Sequence, residues 1–284
     1  MPVFNGERFI RQAVESLLAQ DHEHLELIIS DNGSEDATAA ICRQYAAKDP
    51  RVQFHQSPSN VGATANFNRV FELSSGDYFM WAAHDDCWAP EFVRTCLELL
   101  LERDSILLAG CACELVDPET GEHIDTDRGI STRGMTPYER FKLHKLTLHT
   151  PRNYNIVFYG LYRRASLNRV MPFRKVISND HLLLAQLAMW GEFDTHPEAL
   201  MTKRRGGASR SYRANANALG ISNPLLLASP MLVREFCLQR LIYGTDKLTP
   251  AEKLRLSTWS AINYLRVHIV RASRYHGGRI LRRN

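Results

Sequence analysis

Three groups of acidic residues stand where a carboxylate could do chemistry. Ser30-Asp31-Asn32-Gly33-Ser34-Glu35-Asp36-Ala37-Thr38 follows a short apolar run. A carboxylate there can accept from a nucleobase N–H or a ribose hydroxyl. The same residues also make an ordinary Asn-Gly turn, with Ser34 or Asp36 capping the next helix. The second group is His84-Asp85-Asp86. Adjacent carboxylates repel unless a cation or donor lies between them. A hard divalent ion bridging to a diphosphate meets that need; so does a solvated loop in which Asp86 caps the helix near Pro90. The third is Asn179-Asp180 at a helix start. The helix dipole stabilises an Asp there, and the same carboxylate within reach of a hydroxyl is a general base.

The elements that must position these groups follow from periodicity. Residues 7–20 repeat apolar side chains at helical spacing (Phe9, Ile10, Ala13, Val14, Leu17, Leu18), and 36–47, 63–73, 90–103, 136–149 and 180–190 also read as helices. Residues 25–30, 52–55, 77–83, 106–113 and 155–163 read as strands. Strands alternating with helices predict an α/β fold with a parallel sheet. All three acidic groups then fall at strand ends or helix starts, where open α/β sheets bind ligands. Residues 1–7 run straight into the first helix, so the first strand is expected to be largely missing, through truncation or a misassigned start. Beyond Arg205, Gly206-Gly207 and Asn223-Pro224 punctuate the chain before two helices near 225–243 and 250–276. The second opens with Thr249, Pro250 and Glu252 as start signals and is expected to stop at Gly277-Gly278.

At 284 residues, 44% hydrophobic and 23% charged, the chain composition is that of a globular protein rather than a disordered or collagenous one. The length allows roughly two domains or one large α/β unit with an appendage. Six scattered cysteines suggest reduced, buried thiols. No apolar run approaches the ~20 residues of a spanning helix. The formal charge of +4 is uneven: residues 246–284 hold nine Lys/Arg and two acids, net +7, leaving 26 basic and 29 acidic side chains elsewhere, net −3. A basic stripe beside Leu256, Trp259, Ile262, Leu265 and Ile269 suits either a helix packed on the body or one drawn to anionic lipid. Basic patches interleaved with aromatics are absent from the body, which argues against a nucleic-acid partner.

Taken in order, Pro2-Val3-Phe4-Asn5-Gly6-Glu7, the Ser30–Thr38 run, Asn60-Val61-Gly62, His84-Asp85-Asp86 with Pro90 beyond, and Asn179-Asp180 resemble glycosyltransferase family 2 over roughly residues 1–210. That resemblance implies an inverting enzyme of the GT-A fold, a Rossmann-like, mainly parallel sheet flanked by helices. It implies a catalytic domain at 1–205, with a nucleotide-sugar half to about 115 and an acceptor half to 205. Residues 206–284 would be a basic helical extension. Asp31 would pair with the nucleotide base, with Pro2, Phe4, Asn5 and Glu7 lining the same pocket and Asn60 and Gly62 closing over the nucleoside. Asp85 would hold Mg²⁺ or Mn²⁺ against the diphosphate, and Asp180 would be the catalytic base. Arg204 and Arg205, with Lys203 and Ser209, would face phosphate.

Two departures from the family pattern bear on this. Ala83 stands where the family carries an acid two residues before the metal-binding Asp, so Asp86 or a water would supply that contact, and His84 is either a phosphate contact or a packed or capping residue. Asn179 replaces the acid before the base. Tyr154, the aromatics to 163 and Trp190 are candidate sugar platforms as well as core residues. The expected partners are a UDP-, dTDP- or GDP-sugar donor and a glycan or lipid-linked acceptor, in polysaccharide or glycolipid assembly. The expected place is cytoplasmic, or peripheral on the inner face of the membrane. Two other readings are a sugar-1-phosphate nucleotidyltransferase, for which residues 1–7 lack a Gly-rich phosphate loop, and a non-catalytic nucleotide-sugar binding protein.

Overall fold

The computed structural model describes residues 1–147, 156–205, 219, 221 and 230–280, with side chains described as far as Arg266. Gly206-Gly207, Ser209, Asn223-Pro224 and Tyr154 lie outside the described residues.

The N-terminal segment forms a strand of only two residues. β1 (Pro2–Val3) pairs parallel with β2 (Leu27–Asp31), which pairs parallel with β3 (Val52–Gln56). Two residues suffice because the flanking groups bond as well: the Met1 ammonium donates to the Ile28 carbonyl at 2.6 Å, and the Asn32 N–H to the Val3 carbonyl at 2.9 Å. Three helices join these strands to the rest. In α1 (Ile10–Leu18) the buried Ile10, Ala13, Val14 and Leu17 form the stripe that packs on the sheet. α2 (Thr38–Lys48) follows β2, and α3 (Ala63–Leu73) follows β3.

A second sheet has the order β4-β8-β6-β9-β5, with β7 paired to β6. Its strands are β4 (Tyr78–Phe79), β5 (Cys87–Trp88), β6 (Ile106–Val116), β7 (His123–Asp127), β8 (Leu161–Arg163) and β9 (Glu192–Arg204). Here β6 and β9 run parallel, while the other pairings are antiparallel. The chain between β6 and β7 is too short for a helical crossover. It turns at Asp117, whose carboxylate accepts the Glu119 and Thr120 N–H groups.

The expected strand at 77–83 contributes only two ladder residues, and residues 80–86 form a loop. The expected strand at 155–163 is a 3₁₀ turn (Ile156–Tyr159) leading into β8. Tertiary packing decides this: Phe158 stacks on Trp81 with ring centroids 5.0 Å apart. A Cβ on Gly160 would lie 2.3 Å from the Ala109 carbonyl oxygen. β9 is a strand that periodicity misses, because Asp194, Thr195, His196 and Glu198 break the apolar alternation and its register against β6 shifts.

Four further helices complete the body: α4 (Phe92–Glu102), α5 (Pro137–Thr147), α6 (Arg164–Leu167) and α7 (Asn179–Trp190). α8 (Pro230–Gly244), α9 (Pro250–Ile280) and the turn between them pack on α5 and α7 through Leu238, Ile242, Leu248 and Leu256 against Phe141, Leu182, Ala185 and Met189. The start of α9 is the expected capping box, with Thr249 N–H donating to Glu252 Oε2 at 2.8 Å and Glu252 N–H to Thr249 Oγ1 at 3.3 Å. Its end is not the expected one, because the helix continues through Gly277-Gly278 to Ile280. Glycine weakens a helix by only about 1 kcal/mol relative to alanine, so it does not stop one by itself.

Candidate active site

A cleft of about 580 Å³ opens beyond the carboxyl ends of β2 and β3. It is lined by Phe4, Gly33–Glu35 and 56–60. Gly33 has φ 75°, and a Cβ there would meet the Ser59 carbonyl carbon at 2.8 Å. Two loops therefore touch at a point where only glycine fits. The side chains of Asn32 and Asn60 fasten them further on: Asn32 Nδ2 donates to Asn60 Oδ1 at 2.9 Å, and Val61 N–H to Asn32 Oδ1 at 3.0 Å. We expect Gly33→Ala to cost ~1–2 kcal/mol from left-handed backbone strain alone; urea unfolding checks this, and an unchanged stability would show that the contact is unimportant.

Asp31 lies just behind this cleft and is fully buried. Its Oδ1 accepts from the Ser34 N–H at 3.1 Å and the Ser34 hydroxyl at 2.5 Å. Pro2, Asn5, Glu7 and Gly62 are not among the residues that line the cleft; they frame it. Pro2 is in β1, and Gly62 precedes α3 with φ 88°. Asn5 Oδ1 accepts the Glu35 N–H at 3.0 Å and Glu7 Oε2 the Ala37 N–H at 2.9 Å, so both side chains serve the β2–α2 loop. Sequence reasoning omits Gln56, Ser57, Pro58 and Ser59. The available signal is their place just past a strand's carboxyl end.

The His84-Asp85-Asp86 turn reaches the same N-terminal segment. The His84 ring lies where a Cβ on Gly6 would be, 2.6 Å from its Cδ2. Asp85 is half-buried and Asp86 buried. Asp86 Oδ2 accepts from Lys203 Nζ at 3.1 Å and Oδ1 from the Arg204 N–H at 3.1 Å, so Asp86 is an anchor to β9 rather than a donor-facing ligand. Burial pushes its carboxyl pKa up, against the lowering effect of Lys203. Burial alone would lower the Lys203 pKa, but Tyr159, Asp86 and Asp85 outweigh it and the ammonium is held well above its ordinary range. Arg204 does not face open solvent as expected of a phosphate ligand. Its Nη1 donates to the Asp85 carbonyl at 2.6 Å and its Nη2 to Gln12 Oε1 at 2.5 Å. Arg205 is exposed, with its N–H on the Val116 carbonyl.

Asp180 lies in the first turn of α7, half-buried, with Oδ1 accepting the His181 N–H at 2.9 Å. Ser178, just before it, holds left-handed φ 63°, ψ 41°. Such strain persists where surrounding contacts fix it. Asn179 Nδ2 reaches Thr64 Oγ1 at 3.4 Å, which ties this helix start to α3 beside the cleft. From α5, His144 Nε2 meets the His181 carbonyl at 3.0 Å. Burial drives the His144 pKa down to about 3, so the ring is neutral and its Nε2–H is the donor.

Tyr159 is the residue that draws these pieces together, and no sequence motif marks it. The Lys203 ammonium lies 4.1 Å from its ring centroid. Burial raises its hydroxyl pKa; Lys203 opposes this, and Asp86, Asp85 and Asp180 add to it. Trp190 lies elsewhere, its ring contacted by Arg169 at 5.0 Å and Lys247 at 5.1 Å, and is not free as a sugar platform.

Among the described residues no group of three or more His, Cys, Asp or Glu could hold a metal ion. Ala83 offers no ligand and Asp86 is engaged. Asp85 alone fits an ion that brings most of its shell as phosphate oxygens and water, as Mg²⁺ commonly does. It does not make a cage that holds the ion beforehand.

The cleft opens at the strand ends of an α/β domain with separate acidic turns beside it, and the fold is of the GT-A type. The chain belongs to glycosyl transferase family 2, whose family model matches residues 1–171. An uncharacterized glycosyltransferase of Escherichia coli strain K12, YibD, is 33% identical over 168 residues, covering 58% of this chain and 47% of that one. The chain spans less than half the length of the first curated relatives it matches. The fold is shared with Staphylococcus aureus TarS 1-349 in complex with UDP-GlcNAc, at TM-score 0.62 and 17% identity over 90% of this chain and 68% of that one. It is shared too with a mannosyltransferase of Pyrobaculum calidifontis in complex with GDP-Man and Mn²⁺, at TM-score 0.53 and 16% identity over 95% of this chain and 82% of that one.

Proposed function

We propose that the chain is an inverting glycosyltransferase that moves a sugar from a nucleoside-diphosphate donor to an acceptor hydroxyl. The observation that carries this is the strand-end cleft with two carboxylate turns beside it: that of Asp85, whose neighbour His84 packs on Gly6, and that of Asp180, whose neighbour Asn179 bonds Thr64. The nucleoside occupies the cleft, with Phe4 against the base and the Asp31–Ser34 pair at its inner end. Asp85 faces the diphosphate. A divalent ion bound there supplies charge stabilisation for the leaving group. Asp180 takes the proton from the acceptor hydroxyl as that oxygen attacks the anomeric carbon opposite the diphosphate.

Nucleoside diphosphate release from UDP-, dTDP- and GDP-sugars, with Mn²⁺, Mg²⁺ or EDTA, tests the proposal. Acceptor-dependent release supports it. Pyrophosphate release would identify a nucleotidyltransferase, and binding without turnover a non-catalytic binding protein.

The acceptor we infer is a glycan carried on lipid, met at the inner face of a membrane. Leu232, Phe236 and Tyr243 of α8 and Leu254, Ile262 and Leu265 of α9 are exposed, with exposed Arg240, Arg255 and Arg266 among them. Apolar side chains rimmed by cations suit an anionic bilayer surface. No helix among the described residues is long and apolar enough to cross a membrane. Sedimentation with phosphatidylglycerol-containing vesicles, set against neutral ones, checks this; equal partition would remove it.

A further inference from the structure

We propose that Arg204 is a positioning residue for Asp85, not a phosphate ligand, and that Gln12 of α1 acts through it. The inference rests on the reading of Asp85 as the residue that faces the metal and diphosphate.

The turn that carries Asp85 has little backbone support of its own. Residues 80–86 lie between the two-residue strands β4 and β5 and make no ladder bonds. Side chains from elsewhere hold the turn. Asp86 is fixed by Lys203 Nζ and the Arg204 N–H, as described above. Asp85 itself is fixed at its backbone: Arg204 Nη1 donates to its carbonyl at 2.6 Å and lies 3.7 Å from Cys87 Sγ. The same guanidinium is held from behind. Nη2 donates to Gln12 Oε1 at 2.5 Å, and the group sits 4.6 Å over the Phe9 ring. A planar fork with its two terminal nitrogens on different protein acceptors and its face on an aromatic ring is pre-organised. Offering both terminal nitrogens to a phosphate would compete with the Asp85 carbonyl and Gln12.

The arrangement spans three elements, α1, β9 and the β4–β5 loop, across separations of 119 and 192 residues. Gln12 and Phe9 are therefore part of the machinery that aims a carboxylate they do not touch. Outer partners of a metal-facing ligand commonly change metal affinity or activity about 10–100-fold when removed.

Two phenotypes separate positioning from phosphate binding. Titration calorimetry with UDP in EDTA and again in Mn²⁺ gives the metal-dependent gain in affinity. For Arg204→Met we expect that gain to fall by about 10–100-fold, with UDP affinity in EDTA unchanged. Gln12→Ala should reproduce the loss in weaker form, and Arg204→Lys should restore part of it. Amide exchange supplies a second readout that needs no ligand: protection at residues 87–89, where the amides just past the turn bond to β9, should fall in Arg204→Met and Gln12→Ala, with the β2 and β6 peptides unchanged. Loss of UDP affinity in EDTA would make Arg204 a phosphate ligand and overturn the proposal. Unchanged exchange at 87–89 would overturn it as well. If wild-type UDP affinity is indifferent to Mn²⁺, the metal at Asp85 is refuted, and the clamp is decided by the exchange result alone.

Discussion

Asp180→Asn should lower the transferase rate by ~10²–10⁴-fold and leave the dissociation constant for UDP within about twofold of wild type. The amide keeps the shape of the carboxylate, and its Oδ1 can still accept the His181 N–H that holds it at 2.9 Å. It cannot take a proton from an acceptor hydroxyl. The surroundings are built to keep the group in place rather than to bind nucleotide: Ser178 in a left-handed conformation, the Asn179–Thr64 contact, and the neutral His144 on the His181 carbonyl. The cleft lined by Phe4 and residues 56–60 is formed by other elements and should not notice the change. Donor hydrolysis in the absence of acceptor is a useful companion measurement, because a water molecule needs the same base. A variant with full transfer activity would remove Asp180 from the mechanism. A variant that had lost UDP binding would instead make Asp180 part of the donor site.

Asp85 and Asp180 are legible in the chain because each follows a local pattern, an apolar run or a helix start, that a single window contains. The α/β alternation of the first 115 residues is legible for the same reason, and α3 falls on the expected residues 63–73. What holds the site together is not local. Asp86 meets Lys203 across 117 residues, and Arg204 meets Gln12 across 192. Neither end of those contacts carries a mark in its own neighbourhood, so a basic Lys203-Arg204-Arg205 run reads as solvent- or phosphate-facing when two of its members point inward. β9 escapes for a related reason. It is a strand because β6 and β5 supply its hydrogen-bond partners, not because its own side chains alternate. The short β1 is likewise made by its neighbours: without the Ile28 and Asn32 backbone contacts, Pro2 and Val3 have no strand signature. Tyr159 is hidden by the opposite effect. It sits among apolar aromatics that read as core, and its neighbour Lys203, 4.1 Å from the ring centroid, comes from a strand 44 residues further along the chain.

The largest stability effect expected is at Lys145. Its side chain is buried, with Nζ donating to Glu235 Oε2 of α8 at 2.6 Å and to the Ser260 carbonyl of α9 at 3.0 Å, and meeting the Ser260 hydroxyl too. Glu235 Oε1 accepts from Ser260 Oγ at 2.5 Å and Gln239 Nε2 at 2.8 Å. One cation on α5 thus satisfies groups on both C-terminal helices. Lys145→Met would leave the Glu235 carboxylate buried with its counter-charge gone. Breaking a buried pair from one side costs about 3–5 kcal/mol, a drop in Tm on the order of 10 °C for a chain of this size. Lys145→Met with Glu235→Leu should recover most of that loss, because a well-packed apolar pair can match a buried ion pair. Urea unfolding of the wild type, both single variants and the double variant separates the terms. If the double variant were no more stable than Lys145→Met, packing rather than charge would be the cause. The neighbouring residue makes the result matter for function as well. His144, one step along α5, bonds the first turn of α7 that carries Asp180. Loosening α8 and α9 from α5 should therefore lower kcat in the folded Lys145→Met protein below its melting range, while leaving UDP affinity at the distant cleft unaltered.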